Sequence, residues 1–103
     1  MKKALRYNKG KPKWSLVDFE ALEPLVRTLE HGLEKYGKDN WKLGLDQEEV
    51  LNSLSRHLFA LMSGETIDKP SGCTHIGAIL ANAMFWSYEN NKVEDTVVKE
   101  RKL

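Results

Sequence analysis

The chain has 103 residues, 41% of them apolar, and a formal net charge of +1. This length predicts one domain with a small core, and no apolar run approaches the ~20 residues needed to cross a membrane. The single cysteine, Cys73, excludes an intramolecular disulfide and a cysteine-based metal site. No apolar run and cleavage site follow the basic start, so we expect a cytoplasmic protein.

The first thirteen residues carry six positive charges and no acid, which leaves an excess of acidic residues in the remainder. Tyr7 and Trp14 place ring faces among these ammonium groups, a combination that suits a nucleotide. We therefore divide the chain into a basic N-terminal strap (residues 1–14), a helical nucleotide-binding domain (residues 15–90) and a charged C-terminal tail (residues 91–103). The alternative for the first segment is a solvated basic tail.

Apolar residues recur at intervals of three and four in two segments, which predicts two amphipathic helices. The first begins near Leu22, has Pro24 in its first turn, and ends at Gly37; residues 18–23 before it form either a short separate turn or a kinked start of the helix. The second follows a predicted N-cap at Asp46 and ends before Gly64.

A third helix, capped by Ser71 or Thr74 and ending near Glu89, is apolar around most of its circumference. Such a helix is central or lies between subunits. The predicted fold is therefore all-α, a small bundle of three main helices with an extended strap, and we expect a homo-oligomer that forms through the third helix. The residues after the third helix either extend it or form a loose tail.

Polar residues within these helices are the first candidates for a site. His75 and Asn82 are seven residues apart and project from the same side of a buried helix, either in a bonded core network or into a ligand pocket. Glu65 is predicted to point inward, where a carboxylate needs a partner, unless its loop turns it outward. Together with Asp68, His57 and His75 it could hold a divalent ion.

Two further groups of residues are candidates for contact with phosphate or base. Glu30 and Glu34 could grip magnesium, although glutamates beside an apolar stripe are usually a solvated edge. In the following loop, Lys38, Asn40 and Trp41 offer a charge, an amide and a ring for a nucleotide. The sequence has no glycine-rich phosphate loop or serine elbow. The acidic remainder makes nucleic acid an unfavourable partner.

Four ordered motifs resemble a known family. They are RYNKGKPKWSLV from Arg6, KYGKDNWK from Lys35, RHLFAL from Arg56 and GETIDKPSG from Gly64, followed by His75 and Asn82. Together, over about residues 6–90, they resemble the phage-encoded family named dATP/dGTP diphosphohydrolase N-terminal. The resemblance implies an all-helical fold like that of the MazG-like pyrophosphohydrolases, and hydrolysis of a purine deoxynucleoside triphosphate to its monophosphate and pyrophosphate.

The chain differs from these relatives in its acidic residues. It lacks the facing acidic clusters with which MazG-like enzymes hold magnesium, and Thr66 and Pro70 stand where acids are common in the phage family. Ala78 stands where that family often has a second histidine. The residues that remain as candidate nucleotide ligands are Lys11, Lys13, Trp14, Lys38, Asn40, Trp41, Arg56, His57, His75 and Asn82.

These residues support two functions, and whether the chain is an enzyme stays open. We favour the hypothesis of a phage-type protein that sequesters a nucleotide or a nucleotide-derived immune signal without cleaving it, which requires no cofactor. The alternative is a pyrophosphohydrolase using Mg²⁺, Mn²⁺ or Co²⁺. Its catalytic candidates are Glu65, Asp68 and His75, and its metal ligands are Glu65 and Asp68 with Glu30 or Glu34. A third interpretation is an interaction protein without a ligand.

Overall fold

The computed structural model of the protein describes residues 3–101, and the side chains as far as residue 91. Three α-helices, α1 (Glu23–Tyr36), α2 (Gln47–Met62) and α3 (His75–Arg101), are joined by loops with short 3-10 turns at Trp14–Leu16, Glu20–Leu22 and Asn40–Leu43. Residues 3–101 contain no strand, only an isolated antiparallel bridge between Ile67 and Thr74. The prediction of an all-α fold with three main helices is confirmed. No helix in the described part of the chain has the length and apolar character of a membrane span.

α1 begins after a separate short turn, the first of the two predicted starts. The Asp18 Oδ1 atom accepts a hydrogen bond of 3.1 Å from the backbone N–H of Glu20, which fixes that turn. Pro24 lies in the first turn of α1, where its missing N–H has no helical partner in any case. The helix ends at Gly37, whose φ of 89° lies in a region that side chains disfavour.

α2 has the N-cap that the sequence predicts. The carboxylate of Asp46 accepts a hydrogen bond of 3.1 Å from the backbone N–H of Glu49. Such a cap satisfies one of the free N–H groups in the first turn. Gly64, with φ of 94°, turns the chain out of the helix at the other end.

α3 is capped by Thr74, whose Oγ1 accepts a hydrogen bond of 3.1 Å from the backbone N–H of Gly77. The other predicted cap, Ser71, bonds elsewhere. The helix continues past the end predicted near Glu89 to Arg101, so the following residues extend it, the first of the two alternatives for the tail. No glycine or proline follows Gly77, so the sequence contains no residue that would break the helix there.

The position of α3 is central, as its all-round apolar character predicts. α1 and α2 each pack on α3 and make little contact with each other, so the three helices form a single layer with α3 in the middle. Gly77 allows α1 to approach closely, because a Cβ atom there would lie 2.5 Å from the carbonyl oxygen of Pro24. Among the side chains that the structure describes, the buried apolar ones are few and small, Val50 and Ala81.

Candidate functional site

A cleft of about 240 Å³ opens between α1 and α2 along one side of α3. Its lining includes small, polar and titratable side chains from all three helices and from the loop before α3. These residues are Thr28, His31, Ser53, His57, Asp68, Ser71, Cys73, Ala78, Ala81, Asn82 and Phe85.

A second depression, of about 600 Å³, lies on the outer side of α1 and is more open. It is lined by Phe19, Glu20, Glu23, Val26 and Arg27. Its charged groups already pair with one another, with Arg27 bonded to Glu23 at 3.2 Å. The smaller cleft is therefore the better candidate, because its polar groups converge on one point.

Three potential metal ligands meet beside the cleft. His57 from α2, Asp68 from the loop and His75, the first residue of α3, bring one ligand atom each within 4.8 Å of the others. The Nδ1 atoms of the two histidines are 2.8 Å apart. At that distance at most one of them carries a proton, so at least one lone pair is directed into the cluster. Two imidazoles and a carboxylate form a donor set that suits a divalent transition metal.

The other ring nitrogen of His75 is buried and faces Glu65. His75 is 4% exposed, and its Nε2 lies 3.3 Å from Oε1 of Glu65 without the alignment of a hydrogen bond. The Glu65 side chain itself is about half exposed, at 51%, so the loop has turned it partly towards solvent. A carboxylate beside the second nitrogen of a metal-binding histidine is a common supporting arrangement.

Ser71 holds the carboxylate of Asp68 in place. Its hydroxyl donates a hydrogen bond of 2.6 Å to Oδ2, and its backbone N–H lies 3.3 Å from the same atom. The loop is closed by backbone bonds from Asp68 N–H to the Cys73 carbonyl and from Gly72 N–H to the Asp68 carbonyl. The hydrogen bond from Ser71 lowers the pKa of Asp68.

Burial lowers the pKa of His57, although the nearby charge of Asp68 opposes the shift. At neutral pH His57 is therefore neutral, and Asp68 is ionised. These are the protonation states in which imidazole and carboxylate bind a metal ion.

Asn82 combines the two roles that the sequence leaves open. Its Nδ2 donates to the hydroxyl of Ser53 at 3.2 Å and to the carbonyl of Ala78 at 2.9 Å, as expected of a bonded core amide. It also lines the cleft, on the same side of α3 as His75. The structure thus places one residue in both the packing network and the candidate pocket.

Trp41 fixes its loop to α3. Its ring centroid lies 5.2 Å from that of Phe85 and 5.0 Å from that of Tyr88, in an edge-on contact with the latter. Lys42 lies over the Trp41 ring at 5.3 Å. Asn40 and Trp41 are both half-buried, so this part of the loop is packed against the helix next to the cleft.

The remaining candidates lie on exposed surface and are not brought into the cluster. Glu30 is paired with Arg27 at 3.1 Å on the outer flank of α1, and Glu34 is exposed. In the strap, the backbone N–H of Lys11 donates a hydrogen bond to the carbonyl of Asn8, and this bond lies within the strap itself. The other exposed candidates are Lys13, Trp14, Lys38 and Arg56.

Sequence reasoning missed the residues that support the site. The sequence predicts Ser71 only as a helix cap, although Asp and Ser three residues apart in a loop often bond to each other. Ser53 and Thr28 carried no signal, because a hydroxyl within a helix is usually solvated or bonded to its own backbone.

Comparisons with known proteins agree with the motifs in the sequence. Residues 1–97 match the family described as dATP/dGTP diphosphohydrolase, N-terminal. The chain is similar to a protein of Salmonella phage PMBT28 named dATP/dGTP diphosphohydrolase, with 31% identity over 93 residues. This match covers 88% of the chain and 32% of the phage protein, so the chain spans about a third of that relative. No solved structure matches the chain. The chain therefore belongs to the dATP/dGTP diphosphohydrolase N-terminal family.

Proposed function

We propose that the chain is a metal-dependent nucleotide-processing domain that acts on dATP or dGTP and releases pyrophosphate. The observation that carries the proposal is the cluster of His57, Asp68 and His75 at the edge of a cleft, in a chain whose phage relative is named for this activity. This reverses the preference for sequestration that the sequence alone suggested.

The donor set supports a divalent ion. His57 and His75 would each contribute an Nδ1 atom and Asp68 a carboxylate oxygen, and a hydrogen bond donated by the Nε2–H of His75 to Glu65 would keep the Nδ1 lone pair of His75 free. In the structure, Nε2 lies 3.3 Å from Oε1 of Glu65 without the alignment of a hydrogen bond, so this arrangement requires the half-exposed carboxylate to reorient. A bound ion would supply positive charge to phosphate oxygens and make a bound water more acidic.

The two imidazole donors also bear on the choice of ion. Mg²⁺ prefers oxygen ligands, whereas imidazole suits transition metals. Among Mg²⁺, Mn²⁺ and Co²⁺, the donor set therefore favours Co²⁺ and Mn²⁺ over Mg²⁺.

The nucleotide would occupy the cleft, with its phosphates towards the metal cluster. Asn82 and the hydroxyls of Ser53 and Thr28 provide neutral hydrogen-bonding groups along the cleft for the rest of the molecule. We further propose that Lys11 and Lys13 of the strap contact phosphate, that Trp14 anchors the strap, and that Lys38, Asn40, Trp41 and Arg56 extend the binding surface. The predicted self-association belongs to this proposal as well.

Sequestration remains the second candidate, and one observation favours it. Among the described residues lining the cleft, Asp68 is the single carboxylate, and it is committed to Ser71 and the metal cluster. A site without a second carboxylate could hold a nucleotide while lacking a general base for water.

The test is incubation of the protein with dATP or dGTP and Mg²⁺, Mn²⁺ or Co²⁺, with pyrophosphate as the readout. We expect many turnovers, fastest with Co²⁺ or Mn²⁺, and loss of activity in Asp68→Asn. Glu48→Gln, which removes an exposed carboxylate from the first turn of α2, serves as the matched control and should retain activity.

The competing outcome is equally specific. If no ion supports turnover, and mass spectrometry of the denatured protein recovers bound nucleotide unchanged, then sequestration is the function. A thermal-shift screen in which no nucleotide and no ADP-ribose derivative raises the unfolding temperature would contradict both candidates.

A further inference from the structure

His31 is the one histidine of the chain that lies outside the metal cluster. It stands in α1 and lines the cleft together with Thr28, three residues earlier on the same face of the helix. Its side chain is exposed, so a molecule that enters the cleft can contact it. His57, Asp68 and His75 come from α2, the following loop and α3. His31 therefore belongs to the wall of the cleft that faces the cluster.

Most polar side chains that line the cleft already have partners within the chain. The hydroxyl of Thr28 donates a hydrogen bond of 3.0 Å to a carbonyl of its own helix. Asn82 donates to Ser53 at 3.2 Å, and Ser71 donates to Asp68 at 2.6 Å. The hydrogen-bonding capacity of these groups is thus partly used by the fold itself.

His31 and Cys73 differ from these groups. Within the part of the chain whose side chains the structure describes, the imidazole of His31 makes no hydrogen bond, ion pair or ring contact, and Cys73 is a free thiol. Sulfur is a weak hydrogen-bond acceptor, whereas neutral imidazole has one nitrogen that accepts a proton and one that donates. Imidazole is also the side chain that most often transfers protons in enzymes. Of the two, His31 is the better suited to proton transfer.

The wall that carries His31 is held in place relative to the cluster. α1 approaches α3 so closely at Gly77 that a Cβ atom there would clash with the hydroxyl of Thr28. Gly77 stands two residues after His75, and Thr28 stands about one helical turn before His31. The crossing of the two helices therefore fixes both sides of the cleft near its metal-binding end.

The cleft is also small. Its volume of about 240 Å³ lies below the range of about 300–1,000 Å³ that is common for ligand pockets. Groups on facing walls of so small a cleft contact the same part of a bound molecule. A phosphate held at the cluster would have α1 on its other side, and a water molecule attacking that phosphate from the α1 side would meet His31.

We propose that His31 is the general base for the attacking water, an inference that rests on the proposed function. In this step the oxygen of a water molecule bonds to the α-phosphorus, while the bond from that phosphorus to the bridging oxygen of pyrophosphate breaks. The neutral imidazole of His31 takes a proton from the water, and pyrophosphate leaves with the electron pair of the broken bond. Because His31 is exposed, it then returns the proton to solvent. His31 thereby supplies the base that a cleft without a second carboxylate otherwise lacks.

The test is the steady-state rate of pyrophosphate release from dATP and dGTP with Co²⁺ in His31→Ala and His31→Gln. We expect kcat to fall by about 100–10,000-fold in both variants, with KM and the affinity for Co²⁺ unchanged. Glutamine keeps a hydrogen-bonding side chain but cannot take up the proton, so it would rescue a packing or binding role and not a base. Lys35→Gln is the control and should retain full activity, because Lys35 is exposed in the next turn of α1 but does not line the cleft.

Full activity in His31→Gln, or a loss confined to KM, overturns the inference and leaves the proposed function in place. A loss of Co²⁺ affinity in His31→Ala overturns it as well, because the residue would then belong to the metal site. Should His31→Ala fail to fold by circular dichroism, His31→Gln decides. If the original chain releases no pyrophosphate with any ion, the proposed function itself fails, and the assignment of a base falls with it.

Discussion

The contact between Glu65 and His75 bears on the tautomer of His75 in the proposed metal site. The sequence indicated that Glu65 needs a partner if it points inward, and the structure supplies one at 3.3 Å while leaving the carboxylate half exposed. In the proposed site, Glu65 is therefore a positioning residue, and the candidate ligands are His57, His75 and Asp68. This division could not be predicted from spacing, because it depends on the direction in which a loop turns one side chain.

At the level of single residues, we predict that His57→Ala lowers the affinity for Co²⁺ by more than about 100-fold, since it removes a direct ligand. Glu65→Gln should lower it by about 10–100-fold, as is typical for a supporting partner. Isothermal titration with Co²⁺ measures both effects. His31→Ala is the control, because His31 lines the same cleft but lies outside the three-residue cluster. Equal losses in all three variants would show that the cluster is not the site.

The pH dependence of stability follows from His57. Its pKa in the folded chain lies below the ordinary value of 6.5, so between the two values unfolding takes up a proton. The contribution of His57 to the free energy of unfolding is therefore most favourable above pH 6.5, falls as the pH decreases from 6.5 to the folded pKa, and changes no further below it. The pKa of Asp68 is lowered from 3.8, so protonation of this residue further decreases the free energy of unfolding at more acidic pH.

We expect the thermal midpoint of the metal-free protein to decrease as the pH is lowered below 6.5. The His57→Gln variant should show a flatter profile in that range, because the titrating group has been removed. A profile that is identical in both proteins would refute the assignment to His57.

At the level of the elements, the caps and helix starts were predictable because they depend on local chemistry. Asp46 and Pro24 each act within one turn of the backbone, and both behave as the sequence indicates. The end of α3 was not predictable from the apolar pattern, since that pattern stops near Glu89 while the absence of helix breakers lets the helix continue. The close approach of α1 and α3 at Gly77 likewise had no signal in the sequence.

The crossing at Gly77 gives a prediction for stability. Gly77→Ala would place a methyl group 2.5 Å from the Pro24 carbonyl oxygen and force the helices apart, at a cost of about 1–3 kcal/mol. Gly32→Ala in α1 meets no atom within 4 Å and should be neutral or stabilising, by up to about 1 kcal/mol, through helix propensity. Urea unfolding of both variants measures the difference. Stabilisation by both substitutions would mean that the helices do not cross so closely.

At the level of the whole molecule, the fold class and the residues of the candidate cluster were accessible from the sequence, whereas their mutual position was not. His57, Asp68 and His75 lie on three different elements, and only the packing of α2 against α3 brings two imidazole nitrogens to 2.8 Å. The single-layer arrangement also escaped prediction, because periodicity shows that a helix has an apolar face but not which element covers it.

The strap provides a prediction at this scale. A chain beginning at Ser15 should bind dATP and dGTP at least about tenfold more weakly, since each charge-assisted hydrogen bond lost contributes about 1.5–3 kcal/mol. A chain that lacks only residues 1–5 retains Lys11, Lys13 and Trp14 and is the matched control. Titration calorimetry at two salt concentrations measures the effect. Equal affinity in the two truncated chains would assign the strap a role other than phosphate binding.

The three candidate metal ligands all fall within residues 57–75, on one continuous stretch of chain. That stretch ends α2, forms the loop closed by Ser71 and Cys73, and opens α3. Because the connecting segments are short, little conformational entropy opposes the meeting of the ligands once α2 and α3 are formed. The candidate ligands thus belong to one local helix–loop–helix unit, so their meeting depends on how this unit folds and not on contacts with distant parts of the sequence.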